Sequence, residues 1–327
     1  RVSGQEIKEE EVLSLTEEIR GLVDREFTFS PTFFEFTTAM CFLYFKRKGV
    51  EWAAIETGMG GRLDATNVIN PEVSVITRID LDHREFLGDT LREIAGEKAG
   101  IIKEGIPVVS ALQGPEAMEA IEKKAAEKGA PLFVYGRDFR ADILKIEPFR
   151  ITFDYLTDAP GPIGVEDVSL PLGGAYQAYN ASLAIKAFEV VSGGLSDRLI
   201  RGCLERGLWQ HPGRLELIAP DVLIDGAHNP AASKALADAV KEIKGKLGIT
   251  RLVLIAGIMG DKDIEGILGP LLPLADEIVL TAPKYSRAAP PETLLKYAES
   301  SGHKAKTAVS VAEAIKSART TGSFVLV

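Results

Sequence analysis

The feature that most constrains the fold of this chain is an alternation between short apolar runs and longer helical patterns. After a helix-start signal at Ser30-Pro31-Thr32, an apolar helix is predicted to run to Gly49 and to lead into a short apolar run, Trp52 to Ile55. Further apolar runs follow at Val73 to Ile79 and at Ile106 to Val109, with helical patterns after each. Such alternation is typical of parallel sheets covered by helices, so the sequence predicts an α/β fold in which each run is a buried strand.

The pattern changes after the third run. Between Phe133 and Leu172 apolar and polar residues alternate in short runs, which predicts a small antiparallel β element. Helical patterns resume at Ala175 to Val191 and at Asp197 to Gly207, and His211-Pro212-Gly213 then interrupts the chain. We therefore predict a central domain over residues 1–210.

The remainder of the chain starts the β/α alternation afresh. Strands are predicted at Val222 to Ile224, Leu252 to Ile255 and Glu277 to Leu280, and helices from Pro230, Ile264 and Pro291. Residues 211–327 are accordingly predicted to form a second, smaller Rossmann-like domain.

Composition limits the partners of such a chain. The 38 basic and 47 acidic residues leave a formal charge of -9, the wrong sign for gripping a nucleic-acid backbone over a broad surface. The longest apolar stretch, Thr32 to Phe45, contains Glu35 and is shorter than the roughly 20 residues of a membrane-spanning helix, so we predict a buried helix and no membrane partner. Cys41 and Cys203 form no CxxC pair, which favours a reducing, cytoplasmic setting.

Polar residues and glycines gather directly after the predicted strands, where open α/β sheets place their ligands. The segment Glu56 to Asn67, ETGMGGRLDATN, combines glycines that allow close backbone approach with two carboxylates suited to Mg²⁺ or a substrate amide. A tight loop without a ligand is the alternative. We favour a binding site, because glycines packed among Glu, Arg, Asp and Asn are less common than plain glycine loops.

Two other features of the central domain are open to two interpretations. Asp80-Leu81-Asp82-His83 follows a predicted strand, and its histidine suits a metal ion as well as a solvated turn. Lys98 lies among small residues on a predicted helix, and its surroundings alone indicate an ordinary surface lysine.

The second domain has two comparable loops. Asp225-Gly226-Ala227-His228-Asn229-Pro230 joins a strand to a helix start, where exposed N–H groups favour anions, and we predict a binding site there. Gly257 to Asp263 repeats this arrangement, and Lys262 suits a substrate carboxylate nearly as well as a surface turn.

Taken in this order, the segments resemble the folylpolyglutamate synthase/dihydrofolate synthase family of the Mur ligase superfamily. The matching motifs are ETGMGGRLDATN at 56–67, LDH at 81–83, GDTLREIAGEKAGI at 88–101, HPGR at 211–214 and DGAHNP at 225–230. The resemblance implies a Mur-ligase-like central ATPase domain, with a parallel sheet and a small β element, and a C-terminal Rossmann-like domain. It also implies a monomeric cytoplasmic enzyme that uses ATP and Mg²⁺ to add L-glutamate to dihydropteroate or a folate through an acyl phosphate.

The resemblance assigns roles in the central domain. Glu56 and His83 resemble Mg²⁺ ligands, and Lys98 resembles a lysine that becomes carbamylated and so acquires a metal-binding carboxylate. These residues are the predicted catalytic group. Thr32, Phe34 and Asp64 match positions that line a pterin pocket, where an aromatic face stacks on the ring and a carboxylate accepts its N–H donors.

Further roles concern nucleotide and amino acid. Asn180 resembles the family residue that contacts the adenine of ATP. Arg214, Asp225, His228 and Asn229 resemble groups that close over the nucleotide and the incoming amino acid, and Lys262 and Arg287 are assigned to the carboxylates of glutamate.

One departure from the family concerns the P-loop. The family begins with a loop of the form GTNGKGS, and no GxxxxGK[ST] occurs in this sequence. Arg1-Val2-Ser3-Gly4 resembles family sequence that follows that first portion, so we expect an N-terminal part to be missing and the chain as printed to be inactive. Ala318 to Ser323 runs a helix almost directly into the last predicted strand, and a stretch is expected to be missing there too.

Two alternatives remain at this point. The first is a Mur enzyme that acts on a peptidoglycan precursor, against which the LDH, GEKAGI and TFFEF segments argue because they resemble the folate branch more closely. The second is a truncated chain that binds folate or nucleotide without turning anything over.

Overall fold

The structure, a computed structural model, describes residues 1–158, 164–205, 212–319 and 323–327. Its helices are α1 (Glu9–Glu26), α2 (Phe33–Arg47), α3 (Arg84–Leu87), α4 (Leu91–Lys98), α5 (Pro115–Glu127), α6 (Ala175–Ser192), α7 (Asp197–Glu205), α8 (Pro230–Leu247), α9 (Ile264–Leu268), α10 (Pro291–Ser300) and α11 (Val311–Arg319). Its strands are β1 (Ser74–Ile76), β2 (Val108–Ser110), β3 (Leu132–Val134), β4 (Phe139–Glu147), β5 (Arg150–Thr157), β6 (Gly164–Leu170), β7 (Glu216–Ala219), β8 (Val222–Ile224), β9 (Leu252–Ala256), β10 (Glu277–Leu280), β11 (Lys306–Thr307) and β12 (Phe324–Leu326). The α/β fold class is as predicted.

The chain divides into two compact units. Unit 1 consists of Arg1–Ile79, His83–Val108 and Gln113–Leu132, and unit 2 of Asp80–Asp82, Val109–Leu112 and Phe133–Val327. The predicted boundary between residues 210 and 211, and the passage over residues 320–322, lie outside the described residues. In the described part of the chain, no helix is both long and apolar enough to cross a bilayer.

Unit 1 has its core around α4 and α5. Ile94 and Ala95 of α4 and Ala117 and Ile121 of α5 pack in one buried cluster with Ile76 of β1. A 3-10 turn, Ala99–Ile101, continues α4 directly. The core therefore fixes the C-terminal end of α4, which carries Lys98.

Two predictions in unit 1 are wrong. The run Trp52 to Ile55 forms no strand and the Trp52 side chain is 70% exposed, because within the described ranges no other strand pairs with this run and satisfies its backbone groups. The helix predicted as buried does form, as α2, but most of it is not buried. Thr38 and Tyr44 are its buried residues, and Phe33 is 85% exposed. Its main packing partners in the described chain, α1 and the 3-10 helix Ala65–Val68, cover only part of its surface.

In unit 2, the predicted antiparallel element is confirmed as the sheet β4-β5-β6. Ile151, Phe153 and Tyr155 of β5 alternate with less buried residues, as expected for a strand with one face in a core. Helix α6 packs against β4 and β5. This packing holds the helix that carries Asn180.

A six-stranded sheet forms the rest of unit 2, in the order β11-β10-β9-β12-β8-β7. Its paired strands are parallel except for β7, which runs antiparallel to β8. Leu252 and Leu254 of β9 belong to one buried cluster, while Val253 and Ile255 belong to another, so helices cover both faces of the sheet. The predicted Rossmann-like arrangement of this region is confirmed, and the loops after β8, β9 and β10 meet at one edge of the sheet.

Candidate active site

The loop that follows Glu56 in unit 1 is shaped by the carboxylate of Asp64. One oxygen of Asp64 accepts hydrogen bonds from the backbone N–H groups of Gly58 and Met59, at 2.8 and 2.9 Å. The other accepts from the backbone and the hydroxyl of Thr66. Burial alone raises the pKa of this carboxyl, but these hydrogen bonds outweigh burial and lower it. Asp64 therefore organises the loop through hydrogen bonds to both of its oxygens, and the pterin contact that the resemblance implies for it stays a prediction.

The same loop packs tightly against the C-terminal end of α4. A Cβ on Gly61 would lie 2.8 Å from the carbonyl oxygens of Glu97 and Lys98, and one on Gly100 would lie 2.3 Å from the Cβ of Arg62. The Arg62 backbone N–H donates to Glu97 O at 2.8 Å, and its guanidinium pairs with the Glu97 carboxylate at 3.0 Å. The glycines are thus required for close approach, and the loop after Glu56 is fixed to the turn that carries Lys98.

Two predicted pterin-pocket residues belong to the first turn of α2. The ring of Phe34 lies over Gly58, where an added Cβ would come within 2.4 Å of it, so this ring contacts the glycine loop as a pocket wall would. Thr32 instead caps the helix: its hydroxyl accepts from Glu35 N at 3.2 Å, and the Glu35 carboxylate accepts from Thr32 N at 2.7 Å. The structure therefore gives Thr32 a helix-capping contact.

The predicted metal residues are all placed in unit 1. Glu56 is exposed in the segment before the glycine loop, and Lys98 is the last, half-buried residue of α4. His83 is exposed at the start of α3 with a left-handed backbone, φ 51° and ψ 38°. Among the described residues, no group of three or more His, Cys, Asp or Glu is placed to hold a metal ion. A metal site at Glu56, His83 and Lys98 would therefore need oxygen donors in addition to these unmodified side chains.

In unit 2, two of the predicted segments are joined through Arg214 and Asp225. The Asp225 carboxylate accepts from the backbone N–H groups of Leu215 and Ala227, both at 2.9 Å. The exposed Arg214 guanidinium lies over Gly226, where a Cβ would come within 3.1 Å of it. The structure thus brings Arg214 and Asp225 together, while the neighbouring His211 lies outside the described residues.

Asp225 has a perturbed pKa. Burial raises its pKa more than the two backbone donors and the positive charge of Arg214 lower it. Burial and the nearby Asp225 carboxylate also raise the pKa of Tyr176 to about 12. Tyr176 was not predicted as a site residue. Tyr176 lies on the same helix, α6, as Asn180, the residue predicted to contact adenine. This closeness in the sequence is the signal that could have identified Tyr176 as a site residue.

Three more of the predicted residues converge on a carboxylate that the sequence did not single out. The Lys262 Nζ lies 2.8 Å from Asp82 Oδ1. The Asn229 side-chain amide donates to Asp82 Oδ2 at 3.2 Å, and His228 Nε2 lies 3.4 Å from the same oxygen. All four residues belong to unit 2, and we refer to them as the Asp82 cluster.

Asn180 and Arg287 have different surroundings. Asn180 is exposed on α6, so its side-chain amide is accessible. The exposed Arg287 guanidinium lies over the Tyr285 ring, 5.3 Å from its centre. Its backbone carbonyl accepts from Gly260 N at 2.8 Å, which ties the loop after β10 to the loop of Lys262.

Comparisons with known proteins agree on one family. The Mur ligase middle domain matches residues 21–188, and the Mur ligase glutamate ligase domain matches residues 213–327. Folylpolyglutamate synthase of Lacticaseibacillus casei is 37% identical over 83% of this chain and 63% of its own length. Dihydrofolate synthase/folylpolyglutamate synthase of Bacillus subtilis is 36% identical over 88% of this chain and 67% of its own length.

A solved structure gives the same answer. Folylpolyglutamate synthase of Mycobacterium tuberculosis, complexed with ADP, superposes with a TM-score of 0.87 at 34% identity, over 96% of this chain and 72% of that one. The chain spans about two thirds of the length of the relatives that it matches, 63% and 67% for the two named above. This chain belongs to the Mur ligase family, in the branch that contains the folylpolyglutamate and dihydrofolate synthases.

Proposed function

We propose that this chain acts in an ATP-dependent ligase that joins L-glutamate to a carboxylate of dihydropteroate or of a folate. ATP would convert the acceptor carboxylate into an acyl phosphate, and the amine of glutamate would displace phosphate to form the amide. The observation that carries the proposal is the arrangement at the edge of the parallel sheet in unit 2. The loops after β8 and β9 supply Asp225, His228, Asn229 and Lys262 there, and Arg214, which precedes β7, lies over Gly226. The folate-synthase names of the relatives favour this branch over ligases of peptidoglycan precursors.

These residues suit the charges of such substrates. The Arg214 guanidinium is exposed and permanently charged, which fits a phosphate group. Asn229 caps α8 by accepting from Ala232 N at 2.9 Å, and the positive end of the helix dipole at the start of this helix favours an anion. We assign Asn180 to adenine, and Lys262 and Arg287 to the carboxylates of glutamate.

A magnesium ion fits unit 1 only with help from further oxygen donors. Glu56 and His83 are exposed and offer a carboxylate and an imidazole, and these two residues would hold the ion. A carbamate on Lys98 would add a third, anionic oxygen donor. Once bound, the ion would neutralise charge on the phosphates of ATP. The tight packing of the glycine loop against the end of α4 is the feature of this structure that supports a shared site for Glu56 and Lys98.

We also propose a pterin pocket that includes Phe34, since its ring rests on the glycine loop. The enzyme is proposed to act as a monomer, as the family resemblance implies. Its two free cysteines support the proposal of a reducing, cytoplasmic setting.

The test is ligation of radiolabelled glutamate by the full-length gene product, run separately with dihydropteroate and with tetrahydrofolate. Product from dihydropteroate alone indicates addition of the first glutamate, product from tetrahydrofolate alone indicates extension of the tail, and product from both indicates a bifunctional enzyme. Phosphate release should match amide formation one to one. If neither acceptor yields ATP-dependent product, the proposal is wrong.

A further inference from the structure

Asp82 is the residue on which the polar groups of the loops after β8 and β9 converge. The ammonium group of Lys262 lies 2.8 Å from one of its oxygens, and the other oxygen faces the Asn229 amide at 3.2 Å and His228 Nε2 at 3.4 Å. These three side chains come from two different loops of the sheet edge. A single carboxylate therefore sets the relative positions of three side chains.

Burial shows that this carboxylate is the main partner of Lys262. The Lys262 and Asp82 side chains are 13% and 19% exposed, so their ion pair is largely shielded from solvent. The neighbouring Asp261 is 50% exposed and 3.8 Å from the same ammonium group. Because a shielded charge interacts more strongly than an exposed one, Asp82 fixes the position of the ammonium group and Asp261 contributes little.

The side chains of Asn229 and His228 also contact their own loop. Asn229 Oδ1 accepts from Ala232 N at 2.9 Å, which turns the amide nitrogen toward Asp82. His228 Nδ1 lies 2.9 Å from the carbonyl oxygen of Gly226, which leaves Nε2 on the side of Asp82. Asn229 is thus hydrogen-bonded at one end by its loop and at the other by Asp82, so its orientation is fixed.

Asp82 and its partners come from segments far apart in the sequence. Asp82 lies within the match to the Mur ligase middle domain, and its three partners lie within the match to the glutamate ligase domain, although all four belong to unit 2. Asp82 also immediately precedes His83, which we assign to Mg²⁺. The residue that holds Lys262 is therefore a covalent neighbour of a proposed metal ligand.

We propose that Asp82 is a positioning residue for the amino-acid substrate: it holds the Lys262 ammonium group and the Asn229 amide where they meet a carboxylate of the incoming glutamate. This inference rests on the proposed ligase function. A lysine side chain has many rotamers, and its ammonium group has three donors, so one donor on Asp82 fixes the group while two remain for the substrate. Loss of Asp82 should weaken glutamate binding more than binding of ATP or the folate acceptor.

The test is steady-state kinetics of the full-length gene product with glutamate, ATP and acceptor varied in turn. Asp82→Ala should raise KM for glutamate by about tenfold or more, because a hydrogen bond to a charged group is lost, and should leave KM for ATP nearly unchanged. Asp82→Asn, which keeps an oxygen acceptor for Lys262, should show a smaller rise. Asp261→Asn is the matched control and should behave as the wild type, since it removes the exposed carboxylate beside the same lysine.

A double variant separates positioning from a general structural effect. If Asp82 acts mainly through Lys262, Asp82→Ala should raise KM for glutamate much less in a Lys262→Met background than in the wild type, where only the contribution of the Asn229 amide is left to lose. Additive effects, equal rises in KM for glutamate and ATP, or an Asp82→Asn enzyme that behaves like Asp261→Asn would each overturn the inference and leave the ligase function standing. A wild-type enzyme without glutamate ligation would overturn both. Should Asp82→Ala fail to fold, Asp82→Asn decides alone.

Discussion

Lys186 and Glu189 form a buried ion pair in unit 2, and removing one partner should cost more stability than removing both. Their side chains are 4% and 7% exposed, and the Lys186 Nζ lies 2.9 Å from a Glu189 carboxylate oxygen. The Tyr155 hydroxyl donates to the other oxygen at 2.8 Å, and Lys186 also donates to Thr157 Oγ1 at 3.0 Å. Burial and the Glu189 charge both raise the pKa of Tyr155, so this hydroxyl stays a donor. The network ties α6 to β5.

The magnitude follows from this burial. Lys186→Met leaves the Glu189 carboxylate buried without its cation, which lowers the free energy of unfolding by about 3–5 kcal/mol in comparable cases. In the double variant Lys186→Met/Glu189→Gln no charge is left, and the new amide can still accept from Tyr155, so much of the loss should be recovered. The matched control is Lys241→Met, because Lys241 and Asp238 form a pair with the same i,i+3 spacing but are 59% and 65% exposed. It should cost less than about 1 kcal/mol.

The assay is urea unfolding of the four proteins, followed by far-ultraviolet circular dichroism. The expected order of stability is wild type and Lys241→Met first, the double variant next, and Lys186→Met last. If the double variant is as unstable as Lys186→Met, or if Lys186→Met matches the surface control, the reasoning from an uncompensated buried charge is wrong.

The remaining predictions concern unit 1. Lys98→Ala should remove most ligase activity of the full-length gene product and leave the circular dichroism spectrum unchanged. The control Lys123→Ala, at an exposed position on α5, should keep the activity. Normal turnover by Lys98→Ala would rule out a catalytic carbamate at this position. Gly61→Ala should lower the free energy of unfolding by about 1–3 kcal/mol, because the added Cβ would overlap with backbone carbonyl oxygens at the end of α4. Gly21→Ala, in open space on α1, should raise the free energy of unfolding by about 1 kcal/mol or less. A urea titration that ranks the two variants in reverse would contradict this. The pKa of Asp64 is lowered in the folded state, so its carboxylate stabilises the fold above its ordinary pKa of about 3.9 and this contribution is lost as the pH falls through the lowered value. Asp64→Asn should therefore lose less stability than the wild type between about pH 5 and pH 2, and parallel pH profiles of urea midpoints would refute the assignment.

The elements of the C-terminal region were the easiest to predict. Strand β8 and β10 and the starts of α8, α9 and α10 lie where the sequence placed them. Pro230 and Pro291 occupy first-turn positions that suit proline, and the strands are short apolar runs with neighbours on both sides. Local signals suffice there because local and tertiary preferences agree.

The predictions failed where contacts with distant parts of the chain, and not the local sequence pattern, decide the structure. The apolar run Trp52 to Ile55 has strand composition but no pairing partner in the described chain. Helix α1 was missed because its buried face consists of Leu15 and Ile19 among many charged residues. The role of Asp82 depends on partners at positions 228, 229 and 262, which no local pattern brings together.

The contacts of the glycine loop also determine how its amide hydrogens exchange with solvent. Residues 58–64 contain no helix or strand, yet the N–H groups of Gly58 and Met59 are held by Asp64, and that of Arg62 is held by a carbonyl of α4. Amides bonded in this way exchange only when the structure around them opens. In deuterated buffer these three hydrogens should therefore exchange slowly and with the same free energy of opening as the amides in the last turn of α4, so that an irregular segment behaves as part of a helix.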